Sequence, residues 1–290
     1  MERSFPHSTP SAFAKPGGEC CRVIVVGAGA GGMMAAGRAA EMGAKVLLLE
    51  KTDGPGKKIL VSGKSRCNLT NARDLKDFLS MYGPNGRFLH GAFHRFFRDD
   101  LLAFLNRYGV ETKVERGGRI FPLSNDAADV VKAFCRYLAD HGVKLRTSVS
   151  VKGIAVRDGR VEGVLTQEGL IPASAVILAT GGAAWPATGS TGDGYRMAAA
   201  VGHTVTKLRP ALVPLVVIEV ERAKSMQGVS LRNVRLTAFR GPAGAIDPAL
   251  TPSKEAGRGL GQRRKKGSVI ESRMGEMLFT HFGIGGPITL

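Results

Sequence analysis

Three glycines at a fixed spacing carry the clearest chemistry in this chain. Gly27, Gly29 and Gly32, within Gly27-Ala28-Gly29-Ala30-Gly31-Gly32, satisfy G-x-G-x-x-G. In a strand–turn–helix unit, the first such glycine makes the tight turn. The second lets backbone approach a pyrophosphate, and the third lets helix and strand pack closely. The helix that follows would point unpaired N–H groups and a positive partial charge at the phosphates. Glu50 stands where a ribose-binding acid belongs, roughly twenty residues downstream. A carboxylate there accepts hydrogen bonds from both ribose hydroxyls, which favours NAD or FAD over NADP.

The glycine pattern alone is weak, and its context decides. Cys21–Val26 is an apolar run, broken only by Arg22 near its start, of the kind a buried parallel strand needs. Met33–Met42 is alanine-rich and helical, closing at Gly43, and Lys45–Glu50 is the second strand. A P-loop is excluded. Gly63-Lys64-Ser65 resembles its end, but the first glycine it requires is replaced by Lys58.

The surrounding elements must position this unit. Residues 51–71 read as a Gly- and Lys-rich loop, and 74–108 as helices with Phe93, Phe96, Phe97, Leu101, Leu102 and Leu105 at helical spacing. A short strand is expected near Val110–Val114. A helix capped by Ser124 or Asn125 follows, running to about His141. Three strand-like stretches come next: Val143–Thr147 with Val149–Val156, Val161–Thr166 and Leu170–Ala179. Asp158-Gly159 marks a hairpin turn between two of them. A second Gly-rich turn, Thr180–Gly194, leads into a helix ending near Val201. An NAD dehydrogenase would continue in regular β/α repeats, whereas this chain inserts a strand meander and then Ala179-Thr180-Gly181-Gly182. That order favours FAD. The fold class expected is α/β, a Rossmann-type FAD-binding domain with a three-stranded β-meander, plus a β-rich inserted domain. The domains expected are a disordered arm at 1–20, the FAD-binding domain at 21–203 and a β-rich domain at 204–290. In the last, Val205–Val220 and Asn233–Arg240 read as β, and 241–268 as a long basic loop.

Three stretches carry a family resemblance. GPGKKILVSGKSRCNLTN at Gly54–Asn71, ATGGAAWPATGSTGDGYRMAAAVGH at Ala179–His203 and RMGEMLFTHFGIGGPITL at Arg273–Leu290 occur in order. Together they resemble the bacterial NAD(P)/FAD-dependent oxidoreductases of the BaiN or aminoacetone-oxidase type, from about residue 22 to 290. The resemblance implies an FAD-binding Rossmann domain interrupted by a β-rich and a helical domain, with a C-terminal return. It implies that Gly27, Gly29, Gly32 and Glu50 hold the ADP half of FAD, with Ala28 and Lys51 beside them. Ser62, Gly63, Arg66 and Cys67 would run along the pyrophosphate towards the flavin. Val151 would meet the adenine through its backbone, and Thr180, Gly181 and Gly182 would approach the cofactor again. Two departures stand out. Gly285 replaces a usual serine, and Trp185 stands where tyrosine is common. Family members usually continue about a hundred residues further, so a C-terminally short member is expected.

The flavin itself would carry the chemistry, so no catalytic side chain is assigned. Each remaining candidate has a plainer alternative. Arg66 fits a phosphate, or a surface position in a basic loop. Cys67 fits the flavin wall, or simple packing. His203 and His281 read as cap or loop residues before acid–base groups, and Trp185 as core before a flavin-stacking ring. Asp193 would bind a ribityl hydroxyl or cap the helix after it. No second G-x-G-x-x-G occurs, so NAD(P)H enters only as a transient electron donor, and oxygen is a candidate oxidant of the flavin.

Composition bounds the rest. The chain has 290 residues, 43% hydrophobic, and a net charge of +17. That charge favours anionic ligands. Without an aromatic-interleaved RNA motif, a small-molecule substrate is favoured over nucleic acid, with an RNA-associated flavoprotein as the alternative. Four cysteines, Cys20, Cys21, Cys67 and Cys135, include no C-x-x-C pair and suggest no metal site. With no apolar h-region at the start and no membrane-length apolar run, a reduced, cytoplasmic protein is expected.

Overall fold

The computed structural model describes residues 22–210, 213–240 and 269–286. The expected arm at 1–20, the Cys20-Cys21 pair and the basic stretch 241–268 lie outside these residues. The chain divides into two compact units between Val205 and Thr206.

The first unit opens with β1 (Arg22–Val26), α1 (Ala30–Glu41) and β2 (Lys45–Leu49). The expected loop 51–71 proves partly structured. It holds a one-turn helix, α2 (Lys57–Val61), and a two-residue strand, β3 (Thr70–Asn71). Gly56, at φ 73°, lets the chain turn into α2, and its N–H donates to Ala28 O at 2.8 Å. Next come α3 (Leu75–Ser80), a 3₁₀ stretch at Gly83–Leu89, α4 (His90–Arg95) and α5 (Arg98–Arg107). β4 (Thr112–Val114) pairs with β5 (Arg119–Pro122), a strand the sequence reading passed over, and β3 pairs with the other edge of β5.

α6 (Ala127–Asp140) starts one or two residues later than a Ser124 or Asn125 cap implies, because Asp126 is its cap. The Asp126 carboxylate accepts from Ala128 N–H at 2.8 Å, while Asn125 sits at φ 58° in the turn before it. β6 (Lys144–Arg146) then joins β2 in parallel instead of entering the meander. The meander is β7 (Gly153–Arg157), β8 (Arg160–Thr166) and β9 (Gly169–Pro172), antiparallel throughout. Asp158 and Gly159, at φ 51° and 71°, form the expected hairpin turn. The expected strand Leu170–Ala179 breaks at Ala173-Ser174. Its second half is β10 (Ala175–Leu178), which crosses over to pair in parallel with β1. α7 (Asp193–Ala200) follows the second Gly-rich turn.

The result is a parallel sheet in the order β10-β1-β2-β6 between two layers. β1 and β2 are buried on both faces. Val23, Val25, Val46 and Leu48 face one side with Met33 and Ala36 of α1 and Val130, Ala133 and Phe134 of α6. Ile24, Val26, Leu47 and Leu49 face the other, with Val164 and Ala173 of the meander and Met197 of α7. This period-two division makes the continuous apolar runs necessary rather than incidental. α1 meets α6 at Gly37, where a Cβ would lie 2.0 Å from the Tyr137 ring.

The second unit contains β11 (Leu215–Val216), α8 (Val220–Ser225), β12 (Ser230–Phe239), β13 (Val269–Thr280) and β14 (Gly283–Gly285). They form an antiparallel sheet in the order β11-β14-β13-β12. Among its described residues the expected β run Val205–Val220 holds only the two-residue β11, and its last residue, Val220, opens α8. Gly283 permits the closure of β14 on β11, since a Cβ there would lie 1.9 Å from Leu215 O.

Candidate functional site

Where β1 ends, the chain turns within three residues into α1. Gly27, at φ 101°, donates its N–H to Leu49 O at 2.7 Å. A Cβ on Gly27 would strike Ala179 O at 2.6 Å, and one on Gly32 would strike Gly27 O at 1.8 Å. These two glycines let α1 close on the sheet. Gly29 differs. A Cβ there would meet nothing within 4 Å, so its freedom serves the open space beside it. The first turn of α1 contains no acid, and no side chain caps it. Its leading N–H groups therefore keep the donor capacity and positive field that suit an anion.

Glu50 follows β2 and is buried. One carboxylate oxygen accepts from Ala28 N–H at 2.8 Å, and the other accepts from the Thr52 N–H and hydroxyl, each at 2.8 Å. The acid is thus locked against the glycine turn.

A cavity of about 580 Å³ opens at this point, a size suited to a cofactor-scale ligand. Ten of the residues proposed from sequence line it: Gly27, Ala28, Gly29, Glu50, Lys51, Ser62, Cys67, Val151, Thr180 and Gly181. Gly32, Gly63, Arg66 and Gly182 do not. Gly32 acts one step back, in helix packing. Gly63, at φ 56°, shapes the loop backbone, where a Cβ would lie 2.8 Å from Asn68 N. Arg66 turns away because its guanidinium is already satisfied. It forks onto Glu115 at 2.8 and 3.2 Å, reaches Asn125 at 3.2 Å and stacks 4.0 Å over Phe121. The Arg66 guanidinium holds the Glu115 carboxyl below its usual range.

Cys67 is buried in the cavity wall at φ 59°. Burial pushes its thiol up, only partly offset by a hydrogen bond with Ser62. A neutral thiol in an apolar wall packs and does not attack. Trp185 corrects the expectation of core packing: it is 68% exposed, at φ 61°. His203 and His281 are exposed, and the described residues hold no group of three or more metal-ligating side chains.

Several cavity residues escaped the sequence reading. Leu101, Leu105, Val130 and Phe134 bring an apolar wall from α5 and α6, and Met197 another from α7. Lys58 and Ser190 bring polar groups, and so does Asp193, which the sequence offers as a ribityl contact or helix cap. Lys51 Nζ bonds Asp193 at 2.5 Å and Thr191 at 2.6 Å, and Lys58 Nζ bonds Ser190 Oγ at 2.7 Å. The Lys51 ammonium, with Thr191 and Arg196, holds the Asp193 carboxyl below its ordinary 3.8 against the opposing effect of burial. Lys58 was legible only as one of three lysines in the 54–71 stretch, and nothing local marked its partner more than a hundred residues away.

Residues 21–259 match the family described as HI0933-like protein Rossmann domain. The chain belongs to that family, a group of FAD-dependent oxidoreductases. Among its relatives, it is 38% identical over 204 residues to a 3-dehydro-bile acid delta(4,6)-reductase of Clostridium scindens, covering 67% of this chain and 47% of that one. It is 28% identical over 269 residues to a ribosomal RNA dihydrouridine synthase of Escherichia coli K12, covering 92% and 59%. The chain thus spans about half the length of the curated relatives it matches. A flavocytochrome c3 fumarate reductase in an open conformation shares the fold, at 20% identity and a TM-score of 0.52, over 74% of this chain and 47% of that one. Among the described residues, no helix is long and apolar enough to cross a membrane.

Proposed function

We propose that this chain binds FAD in the cavity between the Gly27–Gly32 turn and Glu50, and serves hydride transfer to or from a small organic substrate. The observation that carries the reading is the buried Glu50 carboxylate bonded to Ala28 N–H, at the mouth of a helix whose first turn carries no competing acid. That arrangement sets an acceptor for ribose hydroxyls beside donors for a diphosphate. Gly29 leaves room for close approach, and Val149, Val151, Leu105 and Phe134 supply apolar wall. Bound flavin would supply the hydride chemistry, while these residues bind it, orient it and exclude water. NAD(P)H is proposed as a transient electron donor.

The names of two relatives support a narrower reaction class. One relative is named a ribosomal RNA dihydrouridine synthase and another a 3-dehydro-bile acid delta(4,6)-reductase, and both names describe reduction of a carbon–carbon double bond. We extend that class to this chain. A second reading is an RNA substrate. It is favoured by the 92% coverage by the ribosomal RNA enzyme, against 67% by the bile acid enzyme, and by the +17 charge.

Equilibrium dialysis of the purified chain against FAD, NAD and NADP tests the cofactor. Retention of FAD with rejection of NADP is expected. A folded chain that takes up no FAD overturns the reading. RNA binding that weakens steeply with salt would favour the second substrate class, and salt-insensitive or absent binding the first.

A further inference from the structure

Residues 182–192 form a loop with closed ends. Gly192 N–H donates to Gly182 O at 3.1 Å, and Trp185 sits exposed between those ends. This is the geometry of an Ω-loop, a compact surface loop tied at its neck. Its inner side lies on the cavity, because Thr188, Gly189 and Ser190 all belong to the cavity wall. A Cβ on Gly189 would come within 3.2 Å of Thr52, 3.4 Å of Lys51 and 3.8 Å of the Glu50 carboxylate. The loop therefore rests on the residues that follow the ribose-binding acid.

Two lysines from the 51–58 segment hold it there. Lys51 Nζ bonds Thr191, just inside the neck, and Asp193, just past it. Lys58 Nζ bonds Ser190 Oγ at 2.7 Å and the Ala184 carbonyl at 3.0 Å, so it grips both limbs of the loop at once. Ser190 is buried, and the Lys51 and Asp193 side chains are about a quarter exposed. Both lysines also line the cavity. Their charge therefore serves the loop and the ligand space together.

We propose that residues 182–192 are a strap over the dinucleotide cavity, clasped by Lys51–Asp193 and Lys58–Ser190, and that these clasps set how fast FAD leaves. The proposal rests on the FAD reading above. It assigns Asp193 and Ser190 as positioning residues that act through the lysines.

The variants that decide are Asp193→Asn and Ser190→Ala, because they loosen the strap while leaving both lysines in place. If the strap retains the cofactor, each speeds FAD release in stopped flow, by about threefold for a partly exposed pair. If the lysines serve only as charge for the ligand, Asp193→Asn releases Lys51 towards the diphosphate and slows FAD release. The two accounts predict opposite signs. The chain has one tryptophan, Trp185, and it lies in the strap. In cofactor-free protein, Asp193→Asn should lower Trp185 fluorescence anisotropy and raise its quenching by acrylamide. Lys51→Met should match that change, and the double variant should add nothing further. Unchanged Trp185 anisotropy, or slower FAD release, overturns the strap. If the wild-type chain takes up no FAD, the cavity reading fails and the strap's role fails with it. If FAD binds and Asp193→Asn leaves release unaltered, the strap fails alone.

Discussion

Two Gly-rich turns leave neighbouring parallel strands and feed two helices, yet they are built by different forces. The turn after β1 spans three residues, Gly27–Gly29, before α1 begins. Its shape is fixed by backbone. Gly27 N–H bonds Leu49 O, and Gly27 and Gly32 approach other main chain more closely than any Cβ allows. The turn after β10 takes the chain from Ala179 to Gly192 before α7 begins. Backbone closes its neck from Gly192 N–H to Gly182 O, but its position over the cavity is held by side chains reaching across from the 51–58 segment. The first turn is steric, short-range and intolerant. The second is electrostatic, long-range and adjustable.

The largest effect should separate two glycines of the first turn. Gly32→Ala places a methyl 1.8 Å from Gly27 O, with main chain that cannot yield. It should cost about 3 kcal/mol or more, read as a lower urea midpoint with an unchanged slope. Gly29→Ala meets nothing within 4 Å, so the fold should keep its stability while the methyl enters the ligand space. FAD affinity should fall at least tenfold with thermal stability unchanged. If both variants lose stability equally, the first turn is not divided between packing and binding.

Glu50→Gln should come next. The carboxylate now accepts three hydrogen bonds from Ala28 and Thr52. A carboxamide turns one acceptor into a donor facing a donor, a conflict worth about 1–3 kcal/mol. Calorimetry should show weaker FAD binding together with a modest stability loss. Full FAD affinity in this variant would remove Glu50 from the ribose.

The contrast between the turns also explains what the sequence made legible. The first turn could be read from eight or so contiguous residues, because sterics confine G-x-G-x-x-G to one shape between an apolar strand and a helix. The parallel strands β1 and β2 were legible for the same reason, as apolar runs. The second turn could be located but not closed. Lys51 and Asp193 lie 142 residues apart, and no local pattern pairs them. Arg66 misled for a related reason. Its charge suited a phosphate, but Glu115, 49 residues on, had claimed it. Leu170–Ala179 read as one strand because a two-residue crossover at Ala173-Ser174 leaves the apolar run almost intact. β13 went unread because Val269–Thr280 alternates poorly and is mostly exposed at its start. α8 was hidden in a stretch whose valines favour strand until Ala223 finds its buried place.

The smallest effect belongs to the second turn and depends on pH. Lys51 depresses the Asp193 carboxyl below its ordinary 3.8 in the folded chain. A depressed carboxyl contributes stability that is complete above its unfolded value and is lost as pH falls through its folded one. Wild type and Asp193→Asn should therefore differ by a constant amount from neutral pH down to about 4. The gap should close only below that. Trp185 fluorescence in urea, repeated across this range, measures the difference. The Gly27–Leu49 bond contains no ionisable group, so a Gly27→Ala variant should show a loss that the Lys51–Asp193 pair does not modulate. If the Asp193→Asn gap instead narrows between pH 7 and 5, a group other than this carboxylate holds the second turn, and the division into a steric and an electrostatic turn fails at its weaker half.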